Sequence, residues 1–353
     1  MTDIFIIYFV LSVVFLFGLT VIFWYAYRFE PINFTVTENN IIVKTNKPGK
    51  SGQNNKNTGK AAETARPLKI LHLSDLHLRV DYKGRRLTSF LKILSLDFYD
   101  LIFITGDLVE KDSLQEKLID VLKSFKAKYG IYAVFGAHDY YNKKPSEFLR
   151  NMFKKKESYS RQNDYISLKQ KLERIGIKVL LNESITLNGE ITGLPETEIK
   201  IIGVDDPIIN KMNLAESLKI VSGNPIILEQ EGFLKSEDYK KAFSISENQI
   251  HDIKNRNSLQ IALIHTPDSY ALANLAVNGT DIIFAGHTHG GQVRIPGKGA
   301  IISGCNIKTR FASGLFYFDE FVLQVSKGLG EGRFSKFRIY CQPEAIITKL
   351  FID

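Results

Sequence analysis

The sequence predicts an α/β protein with two sheets packed together, flanked by helices and preceded by one transmembrane helix. Three observations predict it. Short, uniformly apolar runs recur from residue 68 onward, as in strands buried on both faces and covered by helices. Amphipathic helical segments separate several of these runs, and the C-terminal part turns strand-rich, with "LFYFDEFVLQVSKGLG" and "EAIITKLFID". Residues 4–27, "IFIIYFVLSVVFLFGLTVIFWYAY", carry no charge over a length sufficient to cross a bilayer.

Along the chain, the apolar segment comes first. Trp24, Tyr25 and Tyr27 gather at one end of it, where aromatic rings favour the membrane interface. A cleaved signal peptide needs positive charge before its apolar run and small residues after it. Here Asp3 precedes and "FWYAYRFE" follows, so residues 4–27 read as an uncleaved, single-pass anchor. Arg28, Lys44 and Lys47 lie on its C-terminal side, which places the bulk of the chain on the cytoplasmic face of the inner membrane by the positive-inside rule. Residues 28–67 read as a hairpin and a flexible linker. "INFTVTENNIIVKT" alternates loosely around an Asn-Asn turn, and residues 46–67 are polar and rich in Gly, Asn and Lys.

Residues 68–353 form the main domain. Its strands are "KILHLSD", "DLIFITGD", "IYAVFGAHD", "IKVLLN", "IKIIGVDD", "LQIALIH" and "DIIFAGHTH". A helix begins at Asp112-Ser113 and places Leu114, Leu118, Val121, Leu122 and Phe125 on one face. "KKPSEFLRNMFKKKE", residues 143–157, mixes Phe148, Leu149, Met152 and Phe153 with lysines. It is either a basic helix lying on an anionic bilayer or a packed helix with a solvated lysine face. Residues 228–257, charged and aperiodic, read as an insertion shaping access.

The composition, 44% hydrophobic and 24% charged, is that of an ordinary globular protein. The net charge of +8 suits a solvated surface or attraction to an anionic one. No aromatic-basic module for nucleic acid is evident, so nucleic acid is not the expected partner. Two cysteines, Cys305 and Cys341, exclude a disulfide framework and a zinc–thiolate site.

The chemistry gathers at strand ends, where open α/β sheets bind ligands. Asp75 and His77 stand in "SDLH", Asp107 in "TGDLV", His138 and Asp139 in "GAHD", His265 in "LIHTPD", and His287 and His289 in "GHTHGG". Five of the seven histidines are among them, a concentration that scattered surface histidines would not show. Imidazole and carboxylate together suit Mn²⁺, Fe or Zn²⁺. Two such ions sharing a carboxylate can clamp a phosphoryl oxygen and hold a hydroxide as nucleophile. A neighbouring histidine can protonate the leaving oxygen.

In order and spacing these motifs resemble those of the calcineurin-like metallophosphoesterases. The likeness is greatest to their bacterial membrane-associated branch, which also shows "GVDDP" and "PGKG…SKGLGEG" segments, and it covers roughly residues 68–353. The resemblance implies a two-sheet sandwich and two divalent metal ions. Asp75, His77 and His289 would hold one ion, Asp107 would bridge, and His265 and His287 would hold the second. His138 would be the acid, oriented by Asp139. The family pattern in the third motif is Gly-Asn-His, and Ala137 stands here in place of the asparagine. The second ion would keep three protein ligands, leaving positions for water and substrate. Asp205 and Asp206 receive no ligand role. The implied activity is hydrolysis of a phosphoester or pyrophosphate bond in a phosphorylated small molecule or lipid. UDP-2,3-diacylglucosamine pyrophosphohydrolysis in lipid A synthesis is one activity known in the branch. A general phosphodiesterase or phosphomonoesterase on soluble substrates, and a non-enzymatic scaffold with a degenerate metal site, are the alternatives.

Overall fold

A computed structural model describes residues 2–44, 66–151, 157–188, 198–228, 243–246, 250–252, 258–332 and 335–352. The chain opens with α1 (Thr2–Arg28), a 3-10 turn at Glu30–Ile32, and β1 (Thr35–Lys44). The alternating part follows: β2 (Leu68–Leu73), α2 (Tyr82–Leu94), β3 (Leu101–Thr105), α3 (Gln115–Leu122), β4 (Ile131–Val134), the one-turn α4 (Ala137–Tyr140), α5 (Pro145–Asn151), α6 (Tyr165–Arg174) and β5 (Ile177–Val179). The second half contains β6 (Glu183–Leu187), β7 (Glu198–Val204), α7 (Leu214–Ser222), β8 (Ile250–Asp252), β9 (Ser258–Ile264), α8 (Ser269–Val277) and β10 (Ile282–Ala285). It closes with β11 (Arg294–Ile295), β12 (Gly299–Ala300), β13 (Gly314–Tyr317), β14 (Val322–Val325) and β15 (Glu344–Ile352).

Two large sheets form, in the orders β5-β4-β3-β2-β15-β1-β8 and β13-β14-β10-β9-β7-β6. Strands β3, β4, β9, β10 and β14 are buried along their whole length, which is why their sequences are apolar without alternation. The sheets face one another through Ile70, Leu101 and Phe103 on one side and Ile201, Leu263 and Phe284 on the other. Leu87, Leu91, Leu118 and Leu168 of α2, α3 and α6 cover the outer face of the first sheet. Leu218 of α7 and Leu272 and Leu275 of α8 cover that of the second. Carboxylates start the helices: Asp81 accepts from the Gly84 N–H and Asp268 from the Ala271 N–H.

The hairpin expected around Asn39-Asn40 does not form. Residues 35–44 are one strand, paired in parallel with β15 and, at its end, with β8. The Asn pair sits opposite Thr348 and Lys349 in the ladder, and Asn39 Nδ2 donates to Gln324 Oε1 of the facing sheet at 3.0 Å. A partner strand from the far end of the chain satisfies a backbone that a local turn would otherwise serve. The main domain therefore includes this strand. The linker at 46–67 lies, apart from its last two residues, outside the described residues, as does most of 228–257.

Among the described residues α1 is the one helix long and apolar enough to cross a membrane. Its C-terminal end is built into the domain. Ala26 is buried and its carbonyl accepts from the Arg338 N–H at 3.0 Å. Glu30 Oε1 accepts from the Cys341 N–H at 2.8 Å. Lys83 Nζ lies 4.5 Å over the Tyr27 ring, and the Arg28 guanidinium 4.4 Å over Tyr82.

Candidate metal centre

Strands β2, β3 and β4 of one sheet and β9 and β10 of the other each deliver a chemistry-bearing residue just past their carboxyl ends. The backbone there is strained. Asp75, His77, Asp107, His287 and His289 have φ of 49°, 38°, 53°, 68° and 48°. Non-glycine residues seldom adopt this left-handed region, Asp and His more readily than most, and such outliers gather at functional sites. Cross-bonds hold the turns: Asp75 N–H to Gly106 O at 3.0 Å, His77 N–H to Asp107 O at 2.9 Å, and His287 N–H to both Asp75 oxygens at 3.1 and 3.0 Å. Two glycines allow the close approach. A Cβ at Gly136 would sit 2.3 Å from Asp107 Oδ1 and 2.5 Å from His265 Cδ2, and one at Gly286 only 1.8 Å from Ser74 Oγ.

Three overlapping groups result, each with ligand atoms within 4.8 Å of one another: Asp75, His77 and His289; His77, Asp107 and His138; Asp75, Asp107 and His265. The imidazole nitrogens show what the groups fit. His265 Nδ1 donates to Thr105 O at 2.7 Å, so Nε2 is the nitrogen turned to the centre. That atom is buried without a hydrogen bond, 3.3 Å from Asp107 Oδ2. Burial alone would lower the His265 pKa, but Asp107 and Asp75 hold it well above the ordinary imidazole range, so a proton takes the place between His265 and Asp107 that a divalent cation can occupy. His77 Nδ1 meets Glu110 Oε1 at 2.7 Å, and its Nε2 faces His289 Nε2 at 3.2 Å. Burial, then the neighbouring His77 and Arg338, hold His289 well below the ordinary imidazole range, in the neutral form a metal needs. Burial alone would raise the Asp107 carboxyl, but His265, His138 and His77 outweigh it and keep Asp107 ionised. These residues fit divalent cations.

His287 is not gathered into any of the three groups. Its Nε2 lies 3.2 Å from Gly304 O, which can only accept, so the lone pair is on Nδ1. Its ring stands edge-on to His265 with centroids 5.2 Å apart. Ala137, buried at the start of α4, offers no donor or acceptor from its side chain.

His138 is oriented by a different carboxylate from the one its motif suggests. Its Nδ1 meets Glu110 Oε2 at 2.9 Å, so one carboxylate grips both His77 and His138. Asp139 turns away and accepts from four backbone N–H groups, those of Gly136, Asp107, Leu108 and Val109, at 2.8–3.3 Å. It shapes the loop carrying Asp107, while Glu110 sets the imidazoles. Adjacent residues on a one-turn helix point in different directions, which is why the Asp139 expectation fails. Glu110 could have been found as the first charged residue after Asp107 in "TGDLVE".

Two further cations surround the centre. Arg338 is fully buried, donates to Lys327 O, Gly328 O and Gly330 O at 2.6–3.2 Å, and lies 3.4 Å from His289 Nδ1. It thereby clamps the loop whose Gly330 N–H binds Asp75 O. Lys143, in the segment read either as a helix on an anionic bilayer or as a packed helix with a solvated lysine face, is buried, 3.4 Å from Glu157 Oε2 and 4.7 Å over Tyr159. Residues 152–156 of that segment lie outside the described residues. Asp205 and Asp206 serve elsewhere: Asp205 accepts from the Tyr140 hydroxyl, and Asp206 caps the turn at Pro207–Ile209.

Two divalent ions held by such a donor set supply charge to polarise a phosphoryl group and to activate water. The chain's own contribution is to hold His289 neutral and Asp107 ionised, and to keep His138 beside His77 and Asp107. There burial, opposed by Glu110 and aided by Lys143, lowers its pKa.

Fold and site together define a metal-dependent phosphoester hydrolase working with two divalent ions. The chain belongs to the calcineurin-like phosphoesterase family, whose profile matches residues 68–291, more than half of its length. It is 27% identical to the uncharacterized metallophosphoesterase YkoQ of Bacillus subtilis, over 75% of this chain and 77% of that one. It is also 27% identical to the UDP-2,3-diacylglucosamine pyrophosphatase LpxG of Chlamydia trachomatis, over 79% and 82%. To the phosphodiesterase YaeI of Escherichia coli it is 24% identical, over 82% and 84%.

Proposed function

We propose that this protein is a membrane-anchored, two-metal hydrolase of a phosphorylated lipid at the cytoplasmic face of the inner membrane, with UDP-2,3-diacylglucosamine as its foremost candidate substrate. One observation carries the reading. The carbonyl of Ala26, at the end of the apolar helix, is bonded to the backbone of Arg338, whose guanidinium lies beside His289. A single residue thus spans from the anchor to the metal centre, so the reactive bond is met close to the bilayer surface. The name of the LpxG relative supports a nucleotide-linked lipid, and Arg28 at the helix end supports a cytoplasmic domain.

In this reading Asp75, His77 and His289 hold the first ion and Asp107 bridges. His265, with His287 through Nδ1, holds a second ion that water completes where Ala137 offers nothing. His138 is the acid. Manganese is the first metal to try. The test is a hydrolysis panel with Mn²⁺ and detergent, comparing UDP-diacylglucosamine, phosphatidyl lipids, cyclic nucleotides and an aryl phosphodiester. Turnover of the soluble esters alone would favour the second reading, a general phosphodiesterase, which the name of the YaeI relative supports. Asp75→Ala should lower turnover by about 10³-fold or more, in line with the loss of a metal ligand. Unchanged turnover would sink the metal assignment.

A further inference from the structure

The layer between the two sheets is packed with apolar side chains, yet it holds a group of polar ones that the chemistry above does not use. His72 of β2, Ser74 just past β2, Thr105 at the end of β3 and Gln324 of β14 are all fully buried. The Phe284 ring stands edge-on to His72, with centroids 5.3 Å apart. Burying polar groups in such a layer is unfavourable unless each is hydrogen-bonded. Here they bond to one another, in a series that ends on Asp75.

The series runs in one direction. Gln324 Oε1 accepts from Thr348 Oγ1 at 2.8 Å and from Asn39 Nδ2 at 3.0 Å, so the amide turns its N–H group the other way. Gln324 Nε2 donates to His72 Nδ1 at 3.2 Å. Burial lowers the His72 pKa to about 3, so the ring is neutral and its one N–H lies on Nε2. That N–H donates to Thr105 Oγ1 at 2.9 Å. Thr105 Oγ1 donates to Ser74 Oγ at 2.8 Å, and Ser74 Oγ donates to Asp75 Oδ2 at 2.5 Å. An amide of the second sheet is thus connected to a carboxylate of the metal centre through side chains alone.

The last bond distinguishes the two oxygens of Asp75. The His287 N–H is shared between them, at 3.1 and 3.0 Å, whereas Ser74 binds Oδ2 and leaves Oδ1 facing His289 Nε2 at 3.6 Å. Ser74 has a second acceptor in reach, Thr105 O at 3.1 Å. Without the His72 N–H, the Thr105 hydroxyl is free to turn and accept from Ser74, and the Ser74 proton can leave Asp75. We propose that His72 is a positioning residue for the metal centre: acting through Thr105 and Ser74, it holds the Asp75 carboxylate with Oδ1 turned to the first ion. The assignment rests on the reading of Asp75 as a ligand of that ion. It extends the centre from the strand ends into the layer between the sheets.

The test titrates the metal-free full chain, in detergent, with Mn²⁺ and follows the free ion by electron paramagnetic resonance. His72→Phe keeps a ring and loses the N–H. It is expected to raise one Kd by about 10- to 100-fold, as for groups that orient a metal ligand, and to leave the other within about three-fold. The Kd that rises should belong to the site that Asp75→Ala abolishes. Thr105→Val, of the same shape, should weaken that site as much, and the double variant no more than either alone, because both break one series. His72→Gln, which can present an N–H to Thr105, should recover most of the affinity. A lowered melting point of the metal-free protein with both Kd values unchanged would make His72 purely structural and overturn the proposal, as would additive losses in the double variant. If His72→Phe does not fold, the Kd of Thr105→Val decides alone. Two Kd values that Asp75→Ala leaves unchanged would overturn the ligand reading instead, so the two failures are separable.

Discussion

Replacing Glu110 by glutamine tests the geometry of the centre most directly. The carboxylate accepts from His77 Nδ1 at 2.7 Å and from His138 Nδ1 at 2.9 Å, one oxygen to each. A glutamine keeps the shape but presents one acceptor and one donor, so one imidazole N–H is left facing an N–H. A hydrogen bond to a charged partner contributes about 1.5–3 kcal/mol, and an unpaired buried polar group costs about 1–3 kcal/mol. The affected histidine should thus lose about 2–4 kcal/mol of its orientation, or about 30- to 1000-fold in rate at ~1.4 kcal/mol per decade. The Glu110→Gln enzyme should show that loss in kcat on an aryl phosphodiester with saturating Mn²⁺, with KM within about three-fold of wild type. Metal content, read by plasma mass spectrometry, should fall if the amide turns its donor to His77 and hold if it turns it to His138. A kcat within three-fold of wild type, with both ions retained, would refute the idea that Glu110 sets these imidazoles.

Gly136→Ala should abolish metal binding outright, because its Cβ would overlap Asp107 and His265; a variant that folds and still retains two ions contradicts the packing described here. Ala137→Asn should raise the fraction of second-site metal surviving dialysis several-fold, against a cost of about 1–3 kcal/mol for filling a packed position; unchanged stoichiometry in folded protein would show that the amide cannot reach the ion. Asp205 titrates at about 6, raised by burial despite hydrogen bonds from Tyr140 and the Asp206 N–H. Between pH ~4 and ~6 the native state keeps a proton that the unfolded chain has lost, so this group's contribution is full below its unfolded pKa and declines as pH rises to ~6. Urea midpoints at pH 4, 5, 6 and 7 should show that decline in wild type and a flatter profile in Asp205→Asn. Identical profiles would mean Asp205 ionises normally.

The candidate metal-binding residues are legible as a set because each follows an apolar strand that leaves it little freedom. Asp107 after "LIFIT" and His265 after "IALI" had to appear at a strand end. What could not be read was which of two neighbouring carboxylates a side chain meets. His138 and Asp139 are adjacent in sequence, yet the helical turn sends one to Glu110 and the other to the loop amides. The role of Arg338 was equally hidden, since a buried arginine depends on carbonyls from loops placed by the whole fold. The same cause defeated the reading of residues 35–44. Asn-Asn is a fair turn signal locally, and only a partner strand from the end of the chain overrides it.

That partner strand orders the protein's own making. Thr35 bonds to Pro343, 308 positions later, so the first strand behind the apolar helix waits for all of the chain between them before its ladder can close. Contacts of such separation form late. Arg338, which joins the helix end to the metal centre, emerges only just before β15. The loops of the metal centre thus lack their final clamp until β15 pairs, and that strand closes the sheet and the centre together.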